Sequence, residues 1–174
     1  VAHELTHQWF GNYVTCGSWQ DIWINEGFAS YGEYLALEYL DGGMHPSDWM
    51  EQAHQFALQK PDAAVYVPFS QINDERRIFN YSLSYKKGAA LHHMLRYAIG
   101  NDSLFFKTLR AFLAEFGNDV ATGEDFMHVV EEETGMNFKE FFQQWYYGKG
   151  YPTYNVSWNQ KADSVFINLH QTTS

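Results

Sequence analysis

The sequence predicts a mainly α-helical fold that changes to β-structure near residue 150. Through the first 150 residues, apolar side chains recur at helical spacing, in segments that turn-forming Gly, Pro, Asn and Asp residues separate. Beyond that point, "TYNVSW" and "SVFINLH" alternate apolar and polar residues on either side of "NQKAD", the pattern of a β-hairpin. We therefore divide the chain into a helical part, residues 1–150, and a β-hairpin, residues 151–174.

The first three helices are predicted from apolar spacing and from signals at their ends. The first runs from Ala2 to about Asn12 and stops at a Gly-Asn pair. Asn25 is interpreted as the N-cap of the second helix, which continues to the Asp-Gly-Gly segment at Asp41. Ser47 is a candidate cap for a third helix, which Pro61 closes.

A long loop and two further helices follow. Residues 62–80 show no clear period and are interpreted as a loop. Helices are predicted at Ser84–Ile99, where Gly100 is the stop, and at Asp102–Phe116.

Two more helices are predicted from pairs of residues that resemble capping boxes. Thr122 with Asp125 opens one helix, and Asn137 with Glu140 opens the last. The helical part therefore ends just before the predicted hairpin.

Charge and composition exclude several function classes. The chain of 174 residues carries a formal net charge of -10, which disfavours binding to nucleic-acid phosphates. Its single cysteine, Cys16, cannot form an internal disulfide and is interpreted as a small buried apolar residue. No apolar run is long enough to span a bilayer, so we expect no membrane segment.

The opening stretch "HELTH" has the residues of a metal site. On a helix, positions four apart lie on one face, so His3 and His7 project their imidazoles toward one point. Zinc accepts two such nitrogens, and Glu4 could reach a metal-bound water without itself being a ligand. The alternative is a surface helix with two solvated histidines, because a five-residue motif also occurs by chance.

A catalytic zinc needs a third protein ligand and an open position. Glu26 follows His7 with eighteen residues between them, in the predicted first turn of the second helix. Taken alone, a glutamate at this place favours the helix dipole and needs no metal. Together with "HELTH" at this separation, it favours a ligand set of His3, His7 and Glu26.

The segment that carries these residues resembles the zinc-binding signature of the aminopeptidase N family of gluzincin zinc metallopeptidases. The likeness includes "VAHELTHQWFGN" and "INEGFASY". Two later blocks agree with it: "SYKKGAALHHMLR" is similar to the family's Tyr-x-Lys-Gly-Ala segment, and "FFQQWYYGKGYPTYNVSW" is similar to the end of its catalytic domain. The resemblance implies the helical half of a thermolysin-like metallopeptidase domain, followed by a C-terminal β-hairpin that begins a β-sandwich.

The resemblance also implies an activity and roles for individual residues. It implies an aminopeptidase that hydrolyses the N-terminal peptide bond of peptides with one zinc ion. Glu4 would be the general base, and Tyr85 would stabilise the oxyanion of the tetrahedral intermediate. Tyr81 is a nearby competitor for the second role, but only Tyr85 precedes Lys-Lys-Gly-Ala.

Three further residues could support the histidines through their second ring nitrogens. Ser30 and Glu33 lie on the same predicted helical face as Glu26, and Asp21 is another candidate. Each of them has an ordinary structural interpretation as well.

The family's Gly-x-Met-Glu-Asn segment, which binds the free α-amino group of the substrate, is not in this chain. We therefore interpret the chain as a poorly active or inactive fragment. Its expected partners are a peptide substrate and the missing N- and C-terminal domains of the parent protein. A zinc endopeptidase, an epoxide hydrolase of the same fold and a non-catalytic scaffold stay open as alternatives. Cytoplasmic, periplasmic and secreted locations also stay open.

Overall fold

The computed structural model describes residues 1–40 and 45–174 and confirms a mainly helical fold that ends in a pair of antiparallel strands. The helices of this part of the chain are α1 (Ala2–Thr6), α2 (Trp23–Tyr39), α3 (Pro46–Leu58), α4 (Glu75–Ile78), α5 (Gly88–Ile99), α6 (Asp102–Phe116), α7 (Gly123–Thr134) and α8 (Lys139–Trp145). A π-helix (Tyr81–Lys87) leads directly into α5, and short 3₁₀ turns lie at Trp19–Asp21 and Phe69–Gln71. The strands are β1 (Val14–Cys16), β2 (Asp119–Ala121), β3 (Pro152–Lys161) and β4 (Ser164–Thr173).

The core forms around α2, which contacts α1, α3 and α5. Its centre is aromatic: Trp23 and Phe28 of α2 are buried, and both stack on His92 from α5, at ring-centroid distances of 4.6 Å and 3.7 Å. Burial lowers the pKa of His92 to about 3, so this imidazole is neutral and packs as an aromatic ring. Each fully buried aromatic side chain contributes on the order of 1.5–3 kcal/mol.

Two glycines of α2 allow neighbouring backbones to come close. A Cβ atom on Gly32 would lie 2.8 Å from Cβ of Thr6 in α1. A Cβ atom on Gly27 would lie 3.3 Å from Cα of Gly88, the first residue of α5. The absence of side chains at these two positions therefore brings both α1 and the end of the π-helix onto α2.

The small parallel strand pair is a feature that the sequence did not predict. β1 pairs with β2 in the register Val14 with Asp119 and Cys16 with Ala121. Three residues a strand are too few for an alternating pattern to be visible in the sequence. Through this backbone pairing, the segment after α1 is hydrogen-bonded to the connection between α6 and α7.

The predicted first helix is too long, and the predicted cap of the second is wrong. α1 ends at Thr6, because the chain turns there and reaches Gly11 with a φ of 128°, outside the helical region. α2 begins at Trp23, and Asn25 lies inside it. The Asn25 amide instead accepts from the backbone N–H of Cys16, at 3.0 Å, and donates to Thr15. The predicted end of this helix at Asp41 lies outside the described residues.

The remaining helix predictions are partly confirmed. α6 has the predicted bounds, and Thr122 and Asp125 form the predicted capping box of α7. The cap of α3 is His45 rather than Ser47, since the His45 ring accepts from the Ser47 backbone N–H. α8 begins after Phe138, so the second predicted capping pair does not form.

The segment from residue 62 to residue 99 contains more structure than predicted. The predicted loop at 62–80 includes the 3₁₀ turn at Phe69–Gln71 and the short α4. The helix predicted from Ser84 begins three residues earlier, as the π-helix. Its end at Ile99, with Gly100 in the left-handed conformation, is as predicted.

The hairpin has one apolar face. β3 and β4 pair antiparallel, with Val156 opposite Leu169 and Trp158 opposite Ile167. These four side chains lie on the same face and are exposed. That residues 151–174 begin a β-sandwich stays a prediction. Among the described helices, none combines the length and the apolar character needed to cross a bilayer.

Candidate metal centre

His3 and His7 lie on one face of the single turn that α1 provides. The backbone N–H of His7 donates to the carbonyl of His3 at 3.1 Å, which keeps the helical spacing up to this residue. The Nε2 atoms of the two imidazoles are 3.2 Å apart. The short α1 is therefore long enough to direct both nitrogens to one point.

Glu26 completes the group from the first turn of α2. Its Oε2 atom lies 3.3 Å from Nε2 of His3 and 3.4 Å from Nε2 of His7. Among the described residues, these three form the group of donor atoms that could hold a metal ion. The two histidines predicted as ligands and the distant glutamate are thus brought together by the fold.

The spacing of the three donor atoms fits zinc. Two ligand atoms at about 2.0–2.1 Å from a tetrahedral zinc ion lie about 3.3–3.4 Å from each other. The three observed separations of 3.2, 3.3 and 3.4 Å match that value. The side chains are also partly accessible, with exposed fractions of 17% for His3, 19% for His7 and 12% for Glu26. Solvent therefore reaches this group of side chains, and a catalytic zinc needs one position open to water in addition to its three protein ligands.

The second nitrogen of each imidazole also has a partner. His7 Nδ1 is 3.0 Å from the carbonyl oxygen of Phe10, and His3 Nδ1 is 3.0 Å from Oε1 of Glu33. The His3 contact is close, although it does not have the alignment of a linear hydrogen bond. An acceptor at Nδ1 holds the proton there and leaves Nε2 free for a metal.

Of the three residues predicted as possible supports, Glu33 is the one that contacts a ligand. Ser30 is buried in α2 and makes no hydrogen bond through its hydroxyl within the described chain. Asp21 accepts from the backbone N–H of Gly123 and from the Tyr146 hydroxyl, so it joins α7 and α8 to the core.

The group formed by His3, Glu26 and Glu33 is strongly polarised. Contacts with Glu26 and then Glu33 outweigh the effect of burial and raise the pKa of His3 to about 9. Burial tends to raise the pKa of Glu33, but its contacts with His3 and Lys86 prevail and lower it to about 2. A proton on His3 therefore occupies the place of a cation between two carboxylates.

Tyr85 lies against the centre and Tyr81 lies behind it. The Tyr85 ring stacks on His3 at a centroid distance of 5.8 Å. Burial first, and then the negative charge of Glu26, raise the pKa of Tyr85 to about 12, so its hydroxyl keeps its proton. Tyr81 instead packs edge-on against Phe56 of α3.

Glu4 is an exposed residue of α1, next to His3 in sequence. Its charge is the smallest of the contributions that raise the pKa of Tyr85. The predicted roles of Glu4 as general base and of Tyr85 as oxyanion donor stay predictions.

Lys86 and Trp49 belong to the surroundings of the centre and were not predicted. Both donate to Oε2 of Glu33, from Lys86 Nζ at 3.1 Å and from Trp49 Nε1 at 2.9 Å. Nothing in their sequence spacing pointed to this, because each comes from a different element and meets Glu33 only in the folded chain.

Comparisons with known proteins identify the family of the chain. Residues 1–145 match the sequence model of the peptidase family M1 domain. Aminopeptidase N of Lactococcus lactis subsp. lactis is 33% identical over 181 residues, which cover 98% of this chain and 20% of the relative. Glutamyl aminopeptidase of Homo sapiens is 33% identical over 162 residues, which cover 90% of this chain and 17% of the relative.

Solved structures show the same fold. A mutant M1 zinc metallopeptidase from Deinococcus radiodurans, bound to a Tyr-Ser-Ala substrate, matches with a TM-score of 0.67 and 28% identity, over 78% of this chain and 29% of that one. Aminopeptidase A of Legionella pneumophila, in complex with aspartic acid, has a TM-score of 0.79 over 98% of this chain and 19% of that one; at 20% identity, this likeness shows the fold alone.

The chain spans about a fifth of the length of the curated relatives it matches. The family match nevertheless covers most of the chain and includes α1, α2, the π-helix and α5, which form the candidate metal centre and its surroundings. The chain therefore belongs to peptidase family M1, the zinc metallopeptidases that include aminopeptidase N.

Proposed function

We propose that this chain carries the catalytic centre of a zinc-dependent aminopeptidase, which removes N-terminal residues from peptides and uses one zinc ion. The observation that supports this most is the tetrahedral spacing of three donor atoms from His3, His7 and Glu26. The names of the relatives, which are aminopeptidases, support the exopeptidase class over the endopeptidase class.

The proposed roles rest on the family resemblance and on the chemistry of each side chain. When bound, zinc would polarise the scissile carbonyl and lower the pKa of a bound water toward ~7. Glu4 accepts a proton from the attacking water and returns it to the leaving amine. Tyr85 stays protonated, with its pKa raised to about 12, and donates a hydrogen bond where negative charge develops. His3 and His7 keep their Nδ1 protons and present Nε2 as a lone pair.

Residues 1–174 alone are expected to cleave peptides poorly. The chain spans only about a fifth of its relatives, and the centre is partly open to solvent. Water in an open cleft weakens the electrostatic stabilisation on which this reaction depends. Activity is therefore to be measured in the intact protein.

The test is a Glu4→Gln variant of the intact protein, assayed with fluorogenic aminoacyl substrates and analysed for bound zinc. Loss of a general base is expected to lower kcat by about 10²–10⁴-fold while the zinc content stays the same. Glu115→Gln is the matched control, because Glu115 is an exposed glutamate of α6 outside the centre. Unchanged activity of Glu4→Gln would remove this residue from the mechanism.

A peptide and its N-acetylated form distinguish an aminopeptidase from an endopeptidase. An aminopeptidase cleaves a peptide with a free N-terminus and spares the same peptide after N-acetylation. Cleavage of the acetylated peptide would indicate an endopeptidase. Absence of hydrolysis in a protein with a full complement of zinc would indicate a non-catalytic scaffold or another reaction of this fold, such as epoxide hydrolysis.

A further inference from the structure

Glu33 is held from two directions by its two carboxylate oxygens. Oε1 lies 3.0 Å from Nδ1 of His3, on the side of the metal centre. Oε2 lies on the other side and accepts from Nζ of Lys86 and Nε1 of Trp49. The side chain thus joins a predicted metal ligand on α1 to donors on the π-helix and α3.

The ammonium group of Lys86 lies in a nearly closed site. The residue is only 5% exposed, and Nζ lies 4.1 Å from the centre of the Trp49 ring and 5.1 Å from that of the Tyr81 ring. Two aromatic faces and one carboxylate therefore surround the charge. A buried lysine is stable only when its charge is paired, so this geometry ties Nζ to Oε2 of Glu33.

This arrangement restricts the rotation of the Glu33 carboxylate. The last torsion of a glutamate is broad and roughly two-fold, so an unrestrained carboxylate would sample many orientations. The indole N–H of Trp49 alone supplies one neutral donor. The ammonium of Lys86 adds a charge-assisted contact to the same oxygen, and such contacts are about twice as strong as neutral ones. With Oε2 fixed, Oε1 stays directed at His3.

We propose that Lys86 is a positioning residue, which holds Glu33 against His3 and thereby orients the His3 imidazole for the metal. This inference rests on the proposed function, because it takes His3 to be a zinc ligand. Lys86 also directly follows Tyr85 in the π-helix, so the same anchor fixes the segment that carries the predicted oxyanion donor. Tyr81, the competitor for that role in the sequence, forms one wall of the lysine site instead.

The test compares zinc affinities in the intact protein, measured by competition with a chromophoric chelator. Loss of a group that supports a ligating histidine typically weakens metal binding about 10–100-fold, and we expect this for Lys86→Met. Lys107→Met is the matched control. Lys107 forms a lysine–glutamate pair with Glu133, 2.7 Å long, between α6 and α7, and its loss is expected to leave zinc affinity unchanged.

A double-mutant cycle tests whether Lys86 acts through Glu33. In a Glu33→Gln background, Lys86→Met is expected to have little further effect on zinc affinity, because its partner charge is gone. Trp49→Phe keeps the ring under the ammonium and removes only the donor. It is expected to weaken zinc binding several-fold. It serves as the test if circular dichroism shows that Lys86→Met does not fold.

The outcomes separate this inference from the proposed function. If wild-type protein binds zinc, and Lys86→Met binds it equally well, the positioning role is wrong while the proposed function stands. The positioning role would also be wrong if Lys86→Met lowered zinc affinity equally with and without Glu33→Gln, since Lys86 would then not act through Glu33. Wild-type protein that binds no zinc would overturn both.

Discussion

Replacing Gly32 by alanine is expected to move the two histidines away from Glu26. Gly32 lies in α2 where Thr6 of α1 packs on it. An added Cβ would lie 2.8 Å from the Thr6 Cβ and closer still to its hydroxyl oxygen. Thr6 cannot easily turn aside, because it is β-branched and its hydroxyl donates to the carbonyl of Ala2 at 2.9 Å. The new methyl group therefore has to displace α1.

The size of the displacement decides the effect on the metal. Carbon atoms in contact are about 3.5–4.0 Å apart, so the backbones must separate by roughly 0.7 Å or more. Metal–ligand distances tolerate only about 0.2 Å. A shift of α1 relative to α2 therefore takes His3 and His7 out of reach of an ion that Glu26 also binds. A displacement on the order of 1 Å typically costs about 10²-fold in rate, and overpacking of this kind costs about 1–3 kcal/mol of stability.

The assay measures kcat/KM, zinc affinity and the melting temperature of Gly32→Ala in the intact protein. Gly135→Ala is the control: Gly135 ends α7 with a φ of 67°, and a Cβ there would meet nothing within 4 Å. The control should lose about 1–2 kcal/mol through backbone strain and keep its zinc affinity. Adding Thr6→Ala to Gly32→Ala removes the hydroxyl oxygen, which is the atom nearest to the new Cβ, and the methyl group, but keeps the Thr6 Cβ, so it should restore only part of the activity. Wild-type zinc affinity in Gly32→Ala would refute the reasoning.

Two more predictions concern the chemistry of the centre. Tyr85→Phe should lower kcat about 10²–10³-fold with little change in KM or zinc content, which steady-state kinetics and metal analysis can check; an unchanged kcat would exclude a role as oxyanion donor. Zinc affinity should rise with pH and level off near pH 9, because His3 holds a proton up to its raised pKa of about 9 and must lose it to bind the metal. Chelator-buffered titrations from pH 6 to pH 10 measure this, and an affinity that is flat below pH 9 would contradict it.

The grouping of His3, His7 and Glu26 could be predicted from the sequence because most of its geometry is local. A spacing of four residues places His3 and His7 on one face of any α-helix, even one as short as α1. Glu26 is not local to them, and it was selected because it follows "HELTH" at a separation that suits a third ligand; the family resemblance then agreed with this choice. The structure brings its Oε2 atom to within 3.4 Å of both histidine nitrogens.

The surroundings of the centre could not be predicted in the same way. Asp21, Ser30 and Glu33 were equal candidates, because sequence spacing does not say which polar side chain of a helix meets another helix. Nothing in the sequence indicated that Lys86 is buried, since a lysine beside a second lysine suggests a solvated surface rather than a site between aromatic rings. The π-helix adds residues to each turn, and so it shifts side chains away from the faces that an α-helical period assigns to them.

The packing of α2 explains why the residues around Glu26 form a unit. Glu26 and Glu33 are seven residues apart, two turns along one face, so the same helix contacts both nitrogens of the His3 ring. Gly27 lets the backbone at Gly88 approach, which carries Tyr85 to the centre, and Gly32 lets α1 approach with both histidines. The two glycines of α2 thus shape the centre by letting neighbouring backbones come close, and its two carboxylates shape it by their charge. A change at either glycine should disturb the metal centre without removing a single donor atom.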